Sequence, residues 1–286
     1  MKKPVLLDGA WGTSLWAIAE QNGVKKDPVW VYNIEHPDFV RRLASEYADA
    51  GSKIIQTNTF GANEPSVRRS SSYDPKTVVR EGVRLVKEAV EGKDVSVYVG
   101  AGPLTELMEP FGDLSEEDVD SYYSNLIDAG LNAGAEGIML ITFIDLEMLR
   151  VAATAAKRFG VSLLTSMSFA EVGKTMFGNS PEQVAEVLGE VGVDAVGINC
   201  SLGPVPAMKV LKDYAEKTNL PLLFKPNAGL PITQADGKTT VKYTPEQFVK
   251  ECIPAMEHAA FIGGCCGTDA SFVRELKHYL DGLTEE

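Results

Sequence analysis

Short apolar runs recur along the chain, separated by longer stretches whose apolar positions follow a helical period. The runs are Val5–Leu7, Lys53–Gln56, Val95–Val99, Gly137–Ile141, Ser162–Thr165, Ala195–Ile198, Leu222–Phe224 and Phe261–Ile262. Each has the length and residue types of a buried strand. Between them, Pro75–Val90 sets Val78, Val79, Val83, Leu85, Val86 and Val90 near one face of a 3.6-residue period, which predicts an amphipathic helix. Ser115 and Asp118 have capping-box spacing and open a second predicted helix over Glu116–Ala133. Ser180-Pro-Glu-Gln183 and Thr244-Pro-Glu-Gln247 each place a hydroxyl at the N-cap, proline at the first helical position and glutamine at the third. Eight strands alternating with helices, with no linker or low-complexity tract, predict an α/β fold, a (β/α)8 TIM barrel. The barrel is expected to use residues 1–286 as a single domain, with a doubly wound sheet as the alternative. No G-x-G-x-x-G follows the first strand, which counts against a dinucleotide site.

Composition narrows the function. The chain has 286 residues, of which 44% are hydrophobic, enough for one large core. Its 27 basic and 40 acidic side chains give a net charge of −13. That balance excludes a nucleic-acid partner, whose phosphates need a basic surface, and an anionic membrane surface. No apolar run reaches the roughly 18 residues of a spanning helix. The N-terminal apolar stretch meets Asp8 too soon for a secretory signal. A soluble cytoplasmic protein is expected.

In a barrel of this kind the active site lies where the strands end. The residues just past the predicted strands include Asp8-Gly9, Thr57-Asn58, Thr142-Phe143, Asn199-Cys200-Ser201, Pro226-Asn227 and Gly263-Gly264-Cys265-Cys266-Gly267. Three of the four cysteines, Cys200, Cys265 and Cys266, therefore fall beyond strands six and eight, which a closed barrel brings near one another. The surrounding glycines are expected to take positive φ and turn the vicinal sulfurs inward. Three thiolates make a zinc site with an open fourth position, the arrangement of a catalytic zinc. A thiol bound there would be deprotonated, and three anionic ligands would leave it electron-rich, which suits S-alkylation better than hydrolysis. Spacing alone leaves a second reading open: buried thiols, or a redox disulfide between Cys265 and Cys266. Cys252 falls inside a predicted helix and reads as core.

These segments resemble the homocysteine S-methyltransferase family, and within it the homocysteine-binding module of cobalamin-dependent methionine synthase. The resemblance rests on Asp8-Gly-Ala-Trp-Gly-Thr13, Gln56-Thr-Asn-Thr-Phe-Gly-Ala-Asn63, Gly197-Ile-Asn-Cys-Ser-Leu-Gly203, Pro226-Asn-Ala-Gly229 and Gly263-Gly-Cys-Cys-Gly-Thr268, in that order. It implies Zn²⁺ held by Cys200, Cys265 and Cys266. It also implies amino-acid recognition by Asp8 and Gly9, with Asp8 on a substrate ammonium and backbone N–H groups or Thr57 on the carboxylate. Asp8 as a helix cap is the plainer reading. Asn58 and Asn227 are expected to order loops; an Asn227 oxygen on zinc when no thiol is bound is the less favoured alternative.

One departure bears on the substrate. The family resemblance implies a glutamate at the end of the fourth strand, gripping the ammonium together with the first aspartate, but this chain has Ile141. The exchange removes a charge-assisted bond of roughly 1.5–3 kcal/mol. Asp145 and Glu147 are the nearby candidates to replace it. Lys225 reads as solvent-facing, or as a partner for a carboxylate or an anionic substrate group. Trp11 either lines a donor pocket or packs the barrel mouth. His36, His258 and His278 are scattered without metal spacing, and the acidic run Asp113–Asp118 reads as a solvated helix start. The expectation is a zinc-dependent S-methyltransferase that converts homocysteine to methionine. A methylcorrinoid such as methylcobalamin, carried on a separate protein, is the expected donor, with a free sulfonium or ammonium compound as the alternative. Two further alternatives are another acceptor thiol, prompted by Ile141, and a non-catalytic zinc or corrinoid-partner module.

Overall fold

The computed structural model describes residues 3–229, the backbone of 232–233 and 239–240, and residues 242–283. Eight parallel strands form one sheet: β1 (Val5–Leu6), β2 (Ile54–Gln56), β3 (Ser96–Ala101), β4 (Gly137–Phe143), β5 (Ser162–Met167), β6 (Val196–Asn199), β7 (Leu222–Lys225) and β10 (Ala259–Ile262). The spatial order is β1-β10-β7-β6-β5-β4-β3-β2. Leu7 bridges Ile54 and the Lys53 amide donates to the Leu6 carbonyl at 2.7 Å, so the first and second strands close the ring. This is the expected (β/α)8 barrel. Each apolar run of the sequence is a strand, shifted at its ends by one or two residues. A short antiparallel pair that the sequence pattern did not signal, β8 (Ile232–Thr233) with β9 (Thr239–Thr240), lies between β7 and β10.

The helix starts follow the local chemistry. Ser115, Ser180 and Thr244 each accept from the third amide of their helix, and the third residue's side chain returns the bond. The helix Pro75–Ala89 buries the apolar face read from its periodicity, including Val78, Val79, Val83, Leu85 and Val86.

Inside the ring, the two-residue strand period sorts side chains into levels. Leu7, Ile54, Tyr98, Met139, Leu164, Ala195 and Leu223 form an apolar plug, and Ile141 caps it. Two positions beyond Ile54, Leu164 and Leu223 stand Gln56, Ser166 and Lys225, all buried. The floor of the site is therefore polar and sits directly on an apolar plug.

Candidate metal centre

The three cysteines converge through the strand ladder. β7 runs between β6 and β10, so the segments after β6 and β10 both pair with its end. The Cys200 amide donates to the Lys225 carbonyl at 3.1 Å, and the Cys265 amide to the Pro226 carbonyl at 2.9 Å. Thr268 fixes the turn, its hydroxyl donating to the Cys265 carbonyl at 2.7 Å and accepting from the Ala10 amide at 3.2 Å. As a result the three sulfurs lie within 4.8 Å of one another, with Cys200 and Cys266 Sγ 3.6 Å apart. Sulfurs on a tetrahedral zinc with bonds of about 2.3 Å sit roughly 3.8 Å apart, so the donor set fits that ion with little movement. All four cysteines are free thiols.

Electrostatics within the cluster are uneven. Hydrogen bonds from Cys265 and Cys266 hold the Cys200 thiol down at about 3. The same contacts push Cys266 up to about 12 and raise Cys265 well above the usual thiol range. One sulfur carries the negative charge for all three, and a divalent cation is what would let the other two ionise. Asn227 adds to the acidity of Cys200, and its buried Oδ1 has no hydrogen-bond partner among the described residues. Its amide donates to the Leu202 carbonyl at 2.9 Å, tying together the loops after β6 and β7. Cys252 is fully buried in the core, and burial raises its thiol.

The backbone reaches this geometry differently from expectation. Gly263 and Gly264 do not take positive φ; only Gly267 of that segment does, at 82°. A Cβ on Gly263 would lie 2.7 Å from the Asp8 carbonyl, so close approach is what requires a glycine there. The left-handed conformations fall instead on Thr142, Cys200 and Ser201, with φ of 66°, 59° and 58°. Such values are strained for a β-branched residue and collect at functional sites. Asn199 holds the Thr142 turn: its Oδ1 accepts from the Thr142 amide at 2.8 Å and the Ser166 hydroxyl at 2.7 Å. Its Nδ2 donates to the Thr142 hydroxyl at 2.6 Å and points at Cys265 Sγ, 3.7 Å away. Asn199 thus braces both the β4 end and a cysteine, a role that the sequence reading did not assign to it.

Beside the sulfurs, Asp8 has a partner already. Lys225 Nζ donates to Asp8 Oδ1, while Oδ2 accepts from Trp11 Nε1 at 2.8 Å and the Gln56 amide at 2.9 Å. Both charged side chains are buried, with 1% and 0% exposure, so the solvent-facing reading of Lys225 is corrected. Strand period is the reason: Lys225 follows Leu223 by two positions and points into the ring. Asp8 does not cap a helix. Asp145 caps the helix Leu146–Lys157 and Glu147 pairs with Arg150, so neither takes the place left by Ile141.

The sulfurs open into a cavity of about 520 Å³. Gly9, Thr57, Asn58, Ile141, Thr142 and Lys225 line its floor and walls, and Trp11, Trp16, Trp30 and Phe60 give it an aromatic mouth. Trp11 lines this cavity and also packs edge-on to Tyr47, ring centroids 6.2 Å apart. Thr57 Oγ1 lies 2.6 Å from Thr59 Oγ1 and accepts from the Gly100 amide. Asn58 orders the loop, its Nδ2 donating to the Val29 carbonyl and Asn33 Oδ1. Gly9 accommodates the Tyr47 ring, which a Cβ would meet at 2.9 Å. The three histidines lie away from this cavity; His36 stacks on Phe39.

Fold and site together define a parallel (β/α)8 barrel with three thiols gathered at the strand ends beside a closed-floored pocket. The chain belongs to the homocysteine S-methyltransferase family, whose family model matches residues 5–280. Methionine synthase from Mycobacterium tuberculosis is 25% identical over 290 residues, covering 94% of this chain and 24% of the relative. This chain thus spans about a quarter of the length of that methionine synthase. Betaine–homocysteine S-methyltransferase 1 from Danio rerio is 24% identical, with 94% and 72% covered. Among solved structures, the metallated homocysteine methyltransferase MmuM from Escherichia coli superposes with a TM-score of 0.77 at 23% identity, covering 97% and 96% of the two chains. No helix of the described residues is long and apolar enough to cross a membrane.

Proposed function

We propose that this protein is a zinc-dependent S-methyltransferase that transfers a methyl group to a thiol. The observation that carries the reading is the set of three sulfurs within 4.8 Å of one another, opening into the cavity. Cys200, Cys265 and Cys266 would hold Zn²⁺. The bound ion would supply a Lewis acid that keeps the acceptor as a thiolate. The polypeptide's own contribution is placement and exclusion of water. Asn199 and the Thr142 turn fix Cys265 and the wall beside it, and the aromatic mouth holds an incoming methyl carrier over the sulfurs. The acceptor sulfur forms its bond to carbon as the carrier–methyl bond breaks, and the electron pair leaves with the carrier. The thiol proton goes to solvent.

The donor we favour is a methylcorrinoid, such as methylcobalamin, carried by a separate protein. A mouth edged by exposed apolar side chains, Trp16 and Phe60, suits a large flat donor that must be brought to the pocket. Cobalt would leave with the electron pair, passing from Co(III) to Co(I). The acceptor implied by family membership is homocysteine, giving methionine. Ile141 and the Lys225–Asp8 pair favour a second reading, another acceptor thiol handled by the same chemistry. A reducing, cytoplasmic setting would keep the three thiols free for the metal. The test is demethylation of methylcobalamin by the zinc-loaded protein, followed by absorbance with homocysteine and with other thiols. Thiol-dependent demethylation that is lost in Cys265→Ser is expected, and its absence with every thiol would contradict the reading.

A further inference from the structure

We infer that the acceptor is a thiol without an ammonium group, a short mercapto acid whose anion meets Lys225. The inference rests on the zinc-thiolate reading and names the substrate class for that site. Its first support is the charge lining the cavity: among the described residues no aspartate or glutamate lines it, whereas two cations do, Lys225 on the floor, paired with Asp8, and Arg69 at the rim, paired with Glu106. Asp8 is the nearest carboxylate of the floor, and it already accepts three hydrogen bonds, from Lys225, Trp11 and the Gln56 amide. An α-ammonium entering here would find an internal ammonium already seated on that carboxylate. It would have to displace Lys225 or lie against it as a buried like charge, with Ile141 as the opposite wall.

The floor suits an anion instead. Lys225 Nζ has three protons, and one is directed at Asp8 Oδ1. The Lys225–Asp8 pair is neutral as a unit, so an incoming carboxylate or sulfonate gains a charged donor, and among the described residues no second carboxylate opposes it in the lining. Discrimination of this kind works by an unpaired or repelled group in the wrong ligand as much as by contacts in the right one.

The experiment uses Co²⁺ in place of zinc, because sulfur-to-cobalt charge-transfer absorption reports thiol ligation without any turnover. The cobalt-loaded protein is titrated with homocysteine, with γ-mercaptobutyrate (homocysteine without its ammonium), with aminopropanethiol (homocysteine without its carboxylate) and with propanethiol. We expect γ-mercaptobutyrate to bind at least tenfold more tightly than homocysteine, and aminopropanethiol to bind weakest. Homocysteine binding as tightly as γ-mercaptobutyrate, or more tightly, would overturn the ammonium exclusion while leaving the metal site intact. Propanethiol equal to γ-mercaptobutyrate would overturn the anion contact. A cobalt site formed on the cysteines but unchanged by every thiol would overturn both this inference and the function it rests on. In the double variant Asp8→Asn/Lys225→Met, which removes both charges together, the preference for γ-mercaptobutyrate over propanethiol should vanish. Its retention would place the anion elsewhere.

Discussion

Lys225 and Asp8 form a buried pair in which each charge depends on the other. Lys225→Met should therefore destabilise the protein by about 3–5 kcal/mol, because it leaves a buried carboxylate uncompensated. Adding Asp8→Asn should recover part of that loss in urea denaturation; no recovery would mean that the pair is not coupled. The cysteines make a second prediction. At pH 7 Cys200, held at about 3, is already ionised, whereas Cys266, at about 12, and Cys265, raised by the same contacts, keep their protons. Metal binding should then release two protons, and its apparent affinity should rise about a hundredfold per pH unit near neutrality. Calorimetry in buffers of different ionisation enthalpy counts them; three protons would mean ordinary thiols. The sulfurs were legible in the sequence because they stand just past apolar runs. The orientation of Lys225 was not. Leu222–Phe224 is buried on both faces, as parallel strands are, so the run carries no alternation from which to read which side faces in. Asn199 was hidden for a similar reason, being a polar residue that reads only as the neighbour of a cysteine until its side-chain partners are seen.

At the scale of elements, the site depends on how closely β6 approaches β7. A Cβ on Gly197 would lie 1.9 Å from the Leu223 carbonyl, a clash with backbone that no rotamer relieves. Gly197→Ala should push the two strands apart, lower the thermal midpoint and weaken metal binding together, since Cys200 hangs from the same ladder. Ser180→Ala makes a useful contrast. It removes a helix cap and should cost about 1 kcal/mol while leaving metal affinity unchanged. Parallel losses of metal binding in both variants would mean that the effect is global unfolding. Helix starts were legible because Ser-Pro-Glu-Gln and Thr-Pro-Glu-Gln carry their own hydrogen-bonding chemistry. Strand ends were less so: β4 runs on through Thr142 and Phe143, past a shift of register against β5 between Leu140 and Phe143, where a polar residue also interrupts the apolar pattern.

For the whole molecule, closure of the ring is what turns three residues distant in sequence into one cluster. The periodic pattern favoured that closure, because alternating strand and helix patterns leave few topologies, but a doubly wound open sheet has the same alternation and remained its alternative. The electrostatic character of the pocket needed the folded chain, since the net charge of −13 gives no hint of a cavity whose charged lining, among the described residues, is Lys225 and Arg69, each paired with a carboxylate outside that lining. A ligand that binds only the folded state stabilises it, so zinc at a thousandfold excess over its dissociation constant should add about 4 kcal/mol. The thermal midpoint should rise accordingly, fall again with a chelator, and stay unmoved in Cys265→Ser. The most direct measurement is zinc-edge X-ray absorption on the loaded protein, with and without an acceptor thiol. One zinc per chain with three sulfur ligands at about 2.3 Å, gaining a fourth sulfur when thiol is added, is the predicted result. Failure to bind stoichiometric zinc, or a sulfur shell that thiol does not change, would contradict it.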